Sequence, residues 1–368
     1  MQNYCNIVKN KLNMLIRKME KNVSDFVANP KKDFTRKSEL SFSKTMRFIL
    51  GMGSRTLGKE LLDFYEFDSK MVSVSAIVQR RSKILPSAFK HLFHEFNNEF
   101  PQTNFFHGYR LYAVDGSDIH IPTIPDDHST HYNTNTNSKG YNLMHLNALY
   151  DLLNCRYMDA VLQDNYNKNE HSALISMMEN IHHDSIIIAD RGYESYNNIA
   201  HFESKGLKYV IRVRSRYGIM EKFNLPLDKE TDFTTDILLT RRQTNEVKTN
   251  PTIYRFLAST STFDFLPKGS KDSYPLKFRI IRIKISENNY ETLVTNLFDD
   301  EFSTEDIKKL YKMRWGIETS FRELKYTVGL LHFHAKKVEY IYQEVFARLI
   351  MYNFTELVTS PIIIQKAD

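Results

Sequence analysis

Cysteine is almost absent: Cys5 and Cys155 are the only two in 368 residues. They stand far apart and without metal-ligand spacing, which excludes a disulfide framework and a zinc centre built on thiolates, and suits a reducing compartment. Also missing is any run of about 20 apolar residues, the length that a membrane-spanning helix needs. The chain does not open on a basic, then apolar, then small-residue segment either. Neither a membrane span nor a secretory signal is therefore expected, and the expected location is the cytoplasm. No internal repeat or low-complexity segment occurs. With hydrophobic residues at 42% and charged ones at 26%, neither a disordered nor a fibrous chain is indicated.

The length allows a large core and two or three domains. The net charge is +6, but it is unevenly spread. Residues 1–60 hold 13 Lys and Arg against 5 Asp and Glu, so the remainder is slightly acidic. A cationic excess at one end suits a polyanionic partner, because each Lys or Arg that meets a phosphate releases a counterion; it equally suits a soluble basic helical segment. The densest stretch is "NPKKDFTRKSELSFSK", Asn29 to Lys44.

Apolar spacings of three and four predict helices through residues 1–104, the first expected domain, with no clear helix-turn-helix signature. From Tyr109 the period changes to two. "YRLYAVDGSDIHIP" reads as a strand, a Gly-Ser turn and a second strand; "LMHLNALYD" and "RYMDAVLQ" read as two more, joined by a turn at Leu152 to Cys155. A helix, the apolar strand "SIIIAD", a second helix ending at Gly206 and the strand "YVIRVRS" follow, giving an α/β class with a mixed sheet over 105–215. Residues 216–300 interrupt the alternation as a β-rich insertion without a convincing helix, containing a turn at Asn288-Asn289. Within it "KFRIIRIKI" interleaves Lys277, Arg279, Arg282 and Lys284 with apolar residues, as a strand with one basic face or a blunted sheet edge would. Residues 301–368 return to helix, with a capping segment at Ser303 to Asp306.

Two carboxylates stand at strand ends, where ligands of α/β sheets collect. Asp115 ends the first strand in "YAVDGSD" and Asp190 ends the apolar strand in "IIIADRGY". Such groups often cap turns, but two at one lip repel unless a cation neutralises them, and hard cations of the Mg2+ type take oxygen ligands. Farther on, "YKMRWGIETSFRELKYTVGL" reads as one helix. It carries Tyr311, Arg314, Glu318 and Lys325 within about 60° of one another, beside an apolar stripe of Leu310, Met313, Ile317, Phe321, Leu324 and Val328. Asp118 and His120 follow Asp115 on the next strand and are tempting extra ligands, but alternation favours Asp115.

The strand ending in Asp115, the segment Asp190-Arg191-Gly192-Tyr193, a β-rich insertion, and then Tyr311, Arg314, Glu318 and Lys325 at intervals of three, four and seven resemble the DDE transposases of the insertion sequence 4 family. The likeness spans Tyr109 to Leu330, and its Tyr-Arg-Glu-Lys signature is complete. It implies a ribonuclease H-like mixed sheet with flanking helices, interrupted by the insertion, behind an N-terminal helical DNA-binding domain. It also implies that Asp115, Asp190 and Glu318 are catalytic and hold two Mg2+ ions, with Mn2+ substituting, across a scissile phosphodiester. Arg314 and Lys325 would hold backbone phosphates, and Tyr311 would donate to a phosphate or pack on a sugar. Trp315 would stack a base flipped out of a hairpin, with Arg191 and Tyr193 as further phosphate contacts.

The partners so implied are double-stranded DNA, as inverted repeats and target, and a second transposase molecule on that DNA, in a nucleoid-associated bacterial protein. The expected reaction cuts insertion-sequence ends and joins them to target. The alternatives are a metal-dependent nuclease on the same fold that does not join strands, and an inactive DNA-binding remnant. Similar proteins continue further with C-terminal pairing helices, whereas only 43 residues follow Lys325, a departure that bears on pairing.

Overall fold

The computed structural model of the chain describes residues 2–124, 126–133, 140–164, 166–226, 228–287 and 289–364. Five helices come first: α1 (Gln2–Lys21), α2 (Phe42–Gly51), α3 (Leu57–Phe64), α4 (Val74–Arg81) and α5 (Pro86–Asn98). Local chemistry starts several of them. Ser41 and Ser73 accept the Lys44 and Ala76 amides as N-caps, and Pro86 opens α5 at the position where a missing N–H costs nothing.

The α/β part follows as β1 (Arg110–Ile121), β2 (His131–Tyr132), β3 (Tyr141–Asp151), β4 (Arg156–Gln163), α6 (Glu170–Met178), β5 (Ser185–Ala189), α7 (Tyr196–Ser204) and β6 (Lys208–Val213). The expected order of strands and helices is observed here, with one correction. The segment read as two strands about a Gly-Ser turn is a single 12-residue strand, β1, because Tyr112 to Ile121 pair without interruption against Asp151 to Asn142 of β3. A glycine inside a paired strand does not reverse the chain when both neighbours stay extended.

The block 216–300 supplies β7 (Thr231–Thr240), the short helix α8 (Asn245–Thr249), β8 (Tyr254–Phe256), β9 (Ser273–Ser286) and β10 (Asn289–Thr295). It is β-rich as expected, although β7 and α8 had no clear sequence signal; Asn288 of the expected turn lies outside the described residues. These strands extend the same sheet. β10 pairs with β6, and the order is β2-β3-β1-β5-β6-β10-β9-β7-β8, with β4 beside β3. Strand β9, which carries "KFRIIRIKI", is therefore neither an edge nor a basic face, since it is paired on both sides by β10 and β7. Arg279 is buried and forks onto Asp232 at 2.7 and 2.6 Å, and Arg282 is buried against Thr292 and Ser215.

The chain ends with α9 (Thr304–Met313), α10 (Trp315–Tyr326) and α11 (Val338–Ile364). Ser303 and Asp306 form a full capping box at the start of α9, as the sequence indicates. The stretch read as one helix breaks at Arg314, where the Arg314 amide bonds the Tyr311 carbonyl and the Ile317 amide bonds the Arg314 carbonyl, three-residue steps in place of four. No described helix is long and apolar enough to cross a membrane.

Alternation sorts the sheet's faces. On one face Leu111, Ile186 and Ile188 meet Ile307, Leu310 and Tyr311 of α9. Farther along the same face Ala113, Ile119 and residues of β3 and β4 join α10, α11 and the N-terminal helices in one apolar cluster. The other face packs Tyr112, Val114, Ile187 and Ala189 against α6 and α7. Polar groups bind the N-terminal helices to α11 within that first cluster. Arg81 reaches Glu344 at 2.6 Å and the Tyr340 carbonyl at 2.9 Å, and Glu344 also accepts the His334 amide at 2.9 Å. His334 in turn contacts the Arg55 carbonyl at 2.9 Å, and Arg348 donates to the Gly53 carbonyl at 2.9 Å.

Candidate active site

β1 and β5 run parallel as neighbours, and their last paired residues are Val114 and Ala189. The next residues are Asp115 and Asp190, which therefore stand at the same level about 5 Å apart in backbone; Asp190 leaves β5 as expected, whereas Asp115, expected at a strand end, lies within β1, which runs on to Ile121 against β3. Because Ala113 and Ile188 point to the face covered by α9, α10 and α11, alternation directs both aspartates to that face as well. Asp115 accepts its neighbour's amide, Gly116 N–H, at 2.8 Å. Asp190 caps a short 3-10 turn, Arg191–Tyr193, and accepts the Gly192 amide at 2.8 Å.

The α9–α10 junction faces these two groups. Arg314, 5% exposed, donates to Glu318 at 2.6 Å, an i,i+4 pair across the first turn of α10. The break at Arg314 changes the rest of the expected polar face. Tyr311 closes α9 at 5% exposure, inside the apolar cluster, with the Arg314 guanidinium 5.9 Å from its ring centre. Trp315 opens α10 at 59% exposure, with the same guanidinium 5.0 Å from its ring. Lys325, one helix length on, donates to Ser117 Oγ at 2.8 Å and to the Asp118 carbonyl at 2.9 Å, tying α10 to the continuation of β1.

Charge at this end of the sheet is unbalanced. Burial pushes the Asp115 carboxyl up to about 6, and the Asp190 and Glu318 carboxylates add to the rise against the Gly116 amide and Arg314. Burial works against the Arg314 charge, but Glu318, Tyr311 and Asp115 together hold its affinity for the proton above the usual arginine range. Burial lowers Lys325, with Asp118 opposing. Asp115 thus feels both other carboxylates. Even so, among the described residues no group of three or more His, Cys, Asp or Glu is arranged to hold a metal ion as it stands, and Glu318 is engaged by Arg314.

The family model for the transposase DDE domain matches residues 106–354, more than two thirds of the chain, and takes in all three carboxylates. The chain belongs to that DDE transposase family. No curated protein matches it. Among solved structures it is similar to a piggyBac transposase synaptic complex with hairpin DNA, with a TM-score of 0.46 and 9% identity over 96% of this chain and 73% of that one.

Not every residue singled out in this DDE transposase faces the carboxylates from solvent. Arg191 is exposed beside Asp190, whereas Tyr193 is fully buried against α7 and the sheet and packs in the core in place of meeting a phosphate. Sequence reasoning also missed a group. Glu170, the first residue of α6, lies 3.0 Å from His145 Nε2, and His145 Nδ1 lies 2.6 Å from Asp118 Oδ1, which also accepts Lys168 Nζ at 3.0 Å. The His145 hydrogen bond, set against burial, holds the Glu170 carboxyl below its ordinary range. A cross-strand register signal existed for part of this, since Asp118 and His145 pair directly between β1 and β3. Nothing in the sequence announced Glu170.

Proposed function

We propose that the protein is a DNA transposase of the insertion sequence 4 type, which cuts DNA at the element's ends and joins those ends to target DNA. The observation that carries this reading is that Asp115 and Asp190 follow the last parallel pair of β1 and β5, Val114 with Ala189, with the Glu318 carboxylate close enough to raise the Asp115 proton affinity. The strand order β4-β3-β1-β5-β6 with a β-rich block before the last acidic helix supports a ribonuclease H-like core. The basic N-terminal 104 residues would bind the repeats, and a second copy on the same DNA would complete the complex.

DDE transposases typically use divalent metal ions. The residues present fit such an ion in part: Asp115 and Asp190 offer hard oxygen donors, and the raised Asp115 proton affinity marks carboxylate charge that the protein leaves uncompensated. Asp115 and Asp190 would hold the ion, Mg2+ by preference, with Glu318 joining once it parts from Arg314. Bound there, a divalent cation supplies charge stabilisation to a phosphodiester undergoing in-line displacement.

The chain's own groups do the rest. Arg314 is a planar fork already on the carboxylate side, and a DNA phosphate offers it the same bidentate geometry as Glu318. Lys325, anchored to Ser117 and the Asp118 carbonyl, is a point charge fixed over the strand that bears Asp115. Arg191 presents a cation at the surface on the Asp190 side. Trp315 offers an exposed ring on which an unpaired base can stack.

The test uses labelled DNA carrying the inverted repeats that flank the gene. Purified protein with Mg2+ is expected to nick the ends and yield strand-transfer products, and Asp190→Ala to lose both while retaining DNA binding. Cleavage without joined products would favour the nuclease reading, and unchanged nicking by Asp190→Ala would overturn the site.

A further inference from the structure

Two glycines flank the carboxylates, Gly116 after Asp115 and Gly192 after Asp190, and neither has a positive φ that would require glycine. Space requires it instead. A Cβ at Gly116 would lie 2.8 Å from Glu170 Oε1 and closer still to the His145 ring. A Cβ at Gly192 would lie 3.0 Å from Asp190 Oδ1 and 3.4 Å from Glu170 Oε2. Gly116 makes room for His145 and Glu170 and Gly192 for Asp190, and the side chain that borders both positions is Glu170.

Glu170 arrives from the opposite side of the sheet. It starts α6, which Asn169 caps by accepting the Ser172 amide at 3.0 Å, and whose Leu174 and Met177 pack among the residues of the second face. β5 stops at Ala189 while β1 runs on to Ile121, so the carboxylate reaches past the shorter strand toward Asp190. One oxygen is 3.0 Å from His145 Nε2, and the other faces the Asp190–Gly192 turn. His145 is buried and bridges to Asp118, whose backbone carbonyl takes Lys325. An acid in the first turn of a helix gains a little from the helix dipole in any case. That gain needs neither a buried histidine behind it nor two missing Cβ atoms beside the catalytic aspartates.

We propose that Glu170 is a fourth carboxylate of the reaction centre, which helps hold the divalent cation beside Asp190, and that His145 and Asp118 are the positioning residues that fix it there. This rests on the aspartate-centred reading above. Ligands and the groups that orient them are each worth about 10–100-fold in metal affinity, which sets the expected size of the effect.

The experiment titrates the full-length, DNA-free protein with Mn2+ and follows bound metal by calorimetry, with thermal unfolding of each variant as a control. Glu170→Gln is expected to weaken Mn2+ binding by about 10-fold or more, and His145→Gln to weaken it in the same direction by less. Glu170→Asp should recover part of the loss, which a merely structural role would not show. Should Glu170→Gln not fold, His145→Gln tests the same point, because it frees the Glu170 carboxylate from the ring that faces it without touching Asp190, and unchanged Mn2+ binding there would overturn the positioning role. Wild-type affinity in the folded Glu170 variants, with binding lost in Asp190→Asn, would overturn the proposal and leave the aspartates standing. Wild-type affinity in Asp190→Asn would instead overturn the aspartate reading itself.

Discussion

The protein buries charge in two places, and it treats them in opposite ways. Where the N-terminal helices meet α11, Arg81 and Arg348 stand against the buried carboxylates of Glu344 and Glu60, with His334 between those two glutamates, so cation and anion are matched. Where the parallel pairing of β1 and β5 stops, Asp115, Asp190 and Glu318 gather with Arg314 as the near cation, and burial together with the two neighbouring carboxylates holds Asp115 well above the ordinary carboxylate range. The first arrangement spends its geometry on closure. The second leaves anionic charge unmatched, which destabilises the fold locally and is useful only if a cation arrives.

That contrast can be broken most sharply at Asp115. Asp115→Asn removes a carboxylate of the proposed site and a source of repulsion together, so nicking should fall by about 1000-fold or more, equivalent to about 4 kcal/mol of transition-state stabilisation, while denaturant resistance holds or rises. Parallel cleavage and urea-unfolding measurements check this, and a large loss of stability would erase the distinction. The matched joint should behave in reverse. Arg81→Ala strands Glu344 in the interior and should cost about 3–5 kcal/mol in urea unfolding.

A smaller effect concerns pH. The folded Asp115 carboxyl, pushed up to about 6, keeps a proton that the unfolded chain sheds near 3.8, the ordinary aspartate value. The native state therefore binds more protons in that window, and stability falls as pH rises from about 4 to about 6, by at most about 3 kcal/mol. Unfolding curves at pH 4.5 and 7.5 should show this drop, reduced in Asp115→Asn; a wild-type drop equal to the variant's would count against unmatched charge at Asp115. Adding Mn2+ at 100 times its dissociation constant should return about 2.7 kcal/mol at the higher pH. The smallest change is expected at Trp315. Being exposed, it contributes little to folding, and Trp315→Ala should leave the melting temperature near wild type while weakening binding of hairpin or single-stranded DNA by about 1–3 kcal/mol.

Much of the catalytic half was legible because its signals are local. The apolar run "SIIIA" announces a strand buried on both faces, the intervals from Tyr311 to Lys325 are visible without a structure, and Asp190 marks a strand end by the turn chemistry that follows it, whereas Asp115, read as a strand end, lies inside β1. The errors share a cause in pairing, which is non-local. Gly116-Ser117 looks like a turn until ten residues of β3 hold it straight. "KFRIIRIKI" looks like an edge until β7 and β10 flank it, and Arg279 and Arg282 read as surface cations until buried partners claim them. Tyr193 sits in a motif whose neighbours face solvent, but the 3-10 turn swings its ring into the core. Glu170 was invisible because its meaning depends on two distant glycines.

The junction at Arg314 has a mechanical side. Arg314 keeps helical angles, φ −49° and ψ −36°, so α10 runs on from α9 and the two differ in what holds them. The front half is gripped by the apolar cluster over β5 and β6, while the rear half, bearing Glu318, shares its hydrophobic neighbours with α11 and the amino-terminal helices. The third acid is thus mounted on the scaffold that joins the two ends of the chain, and the two aspartates on the sheet. The spacing of the acids is therefore set by how that scaffold packs on the sheet.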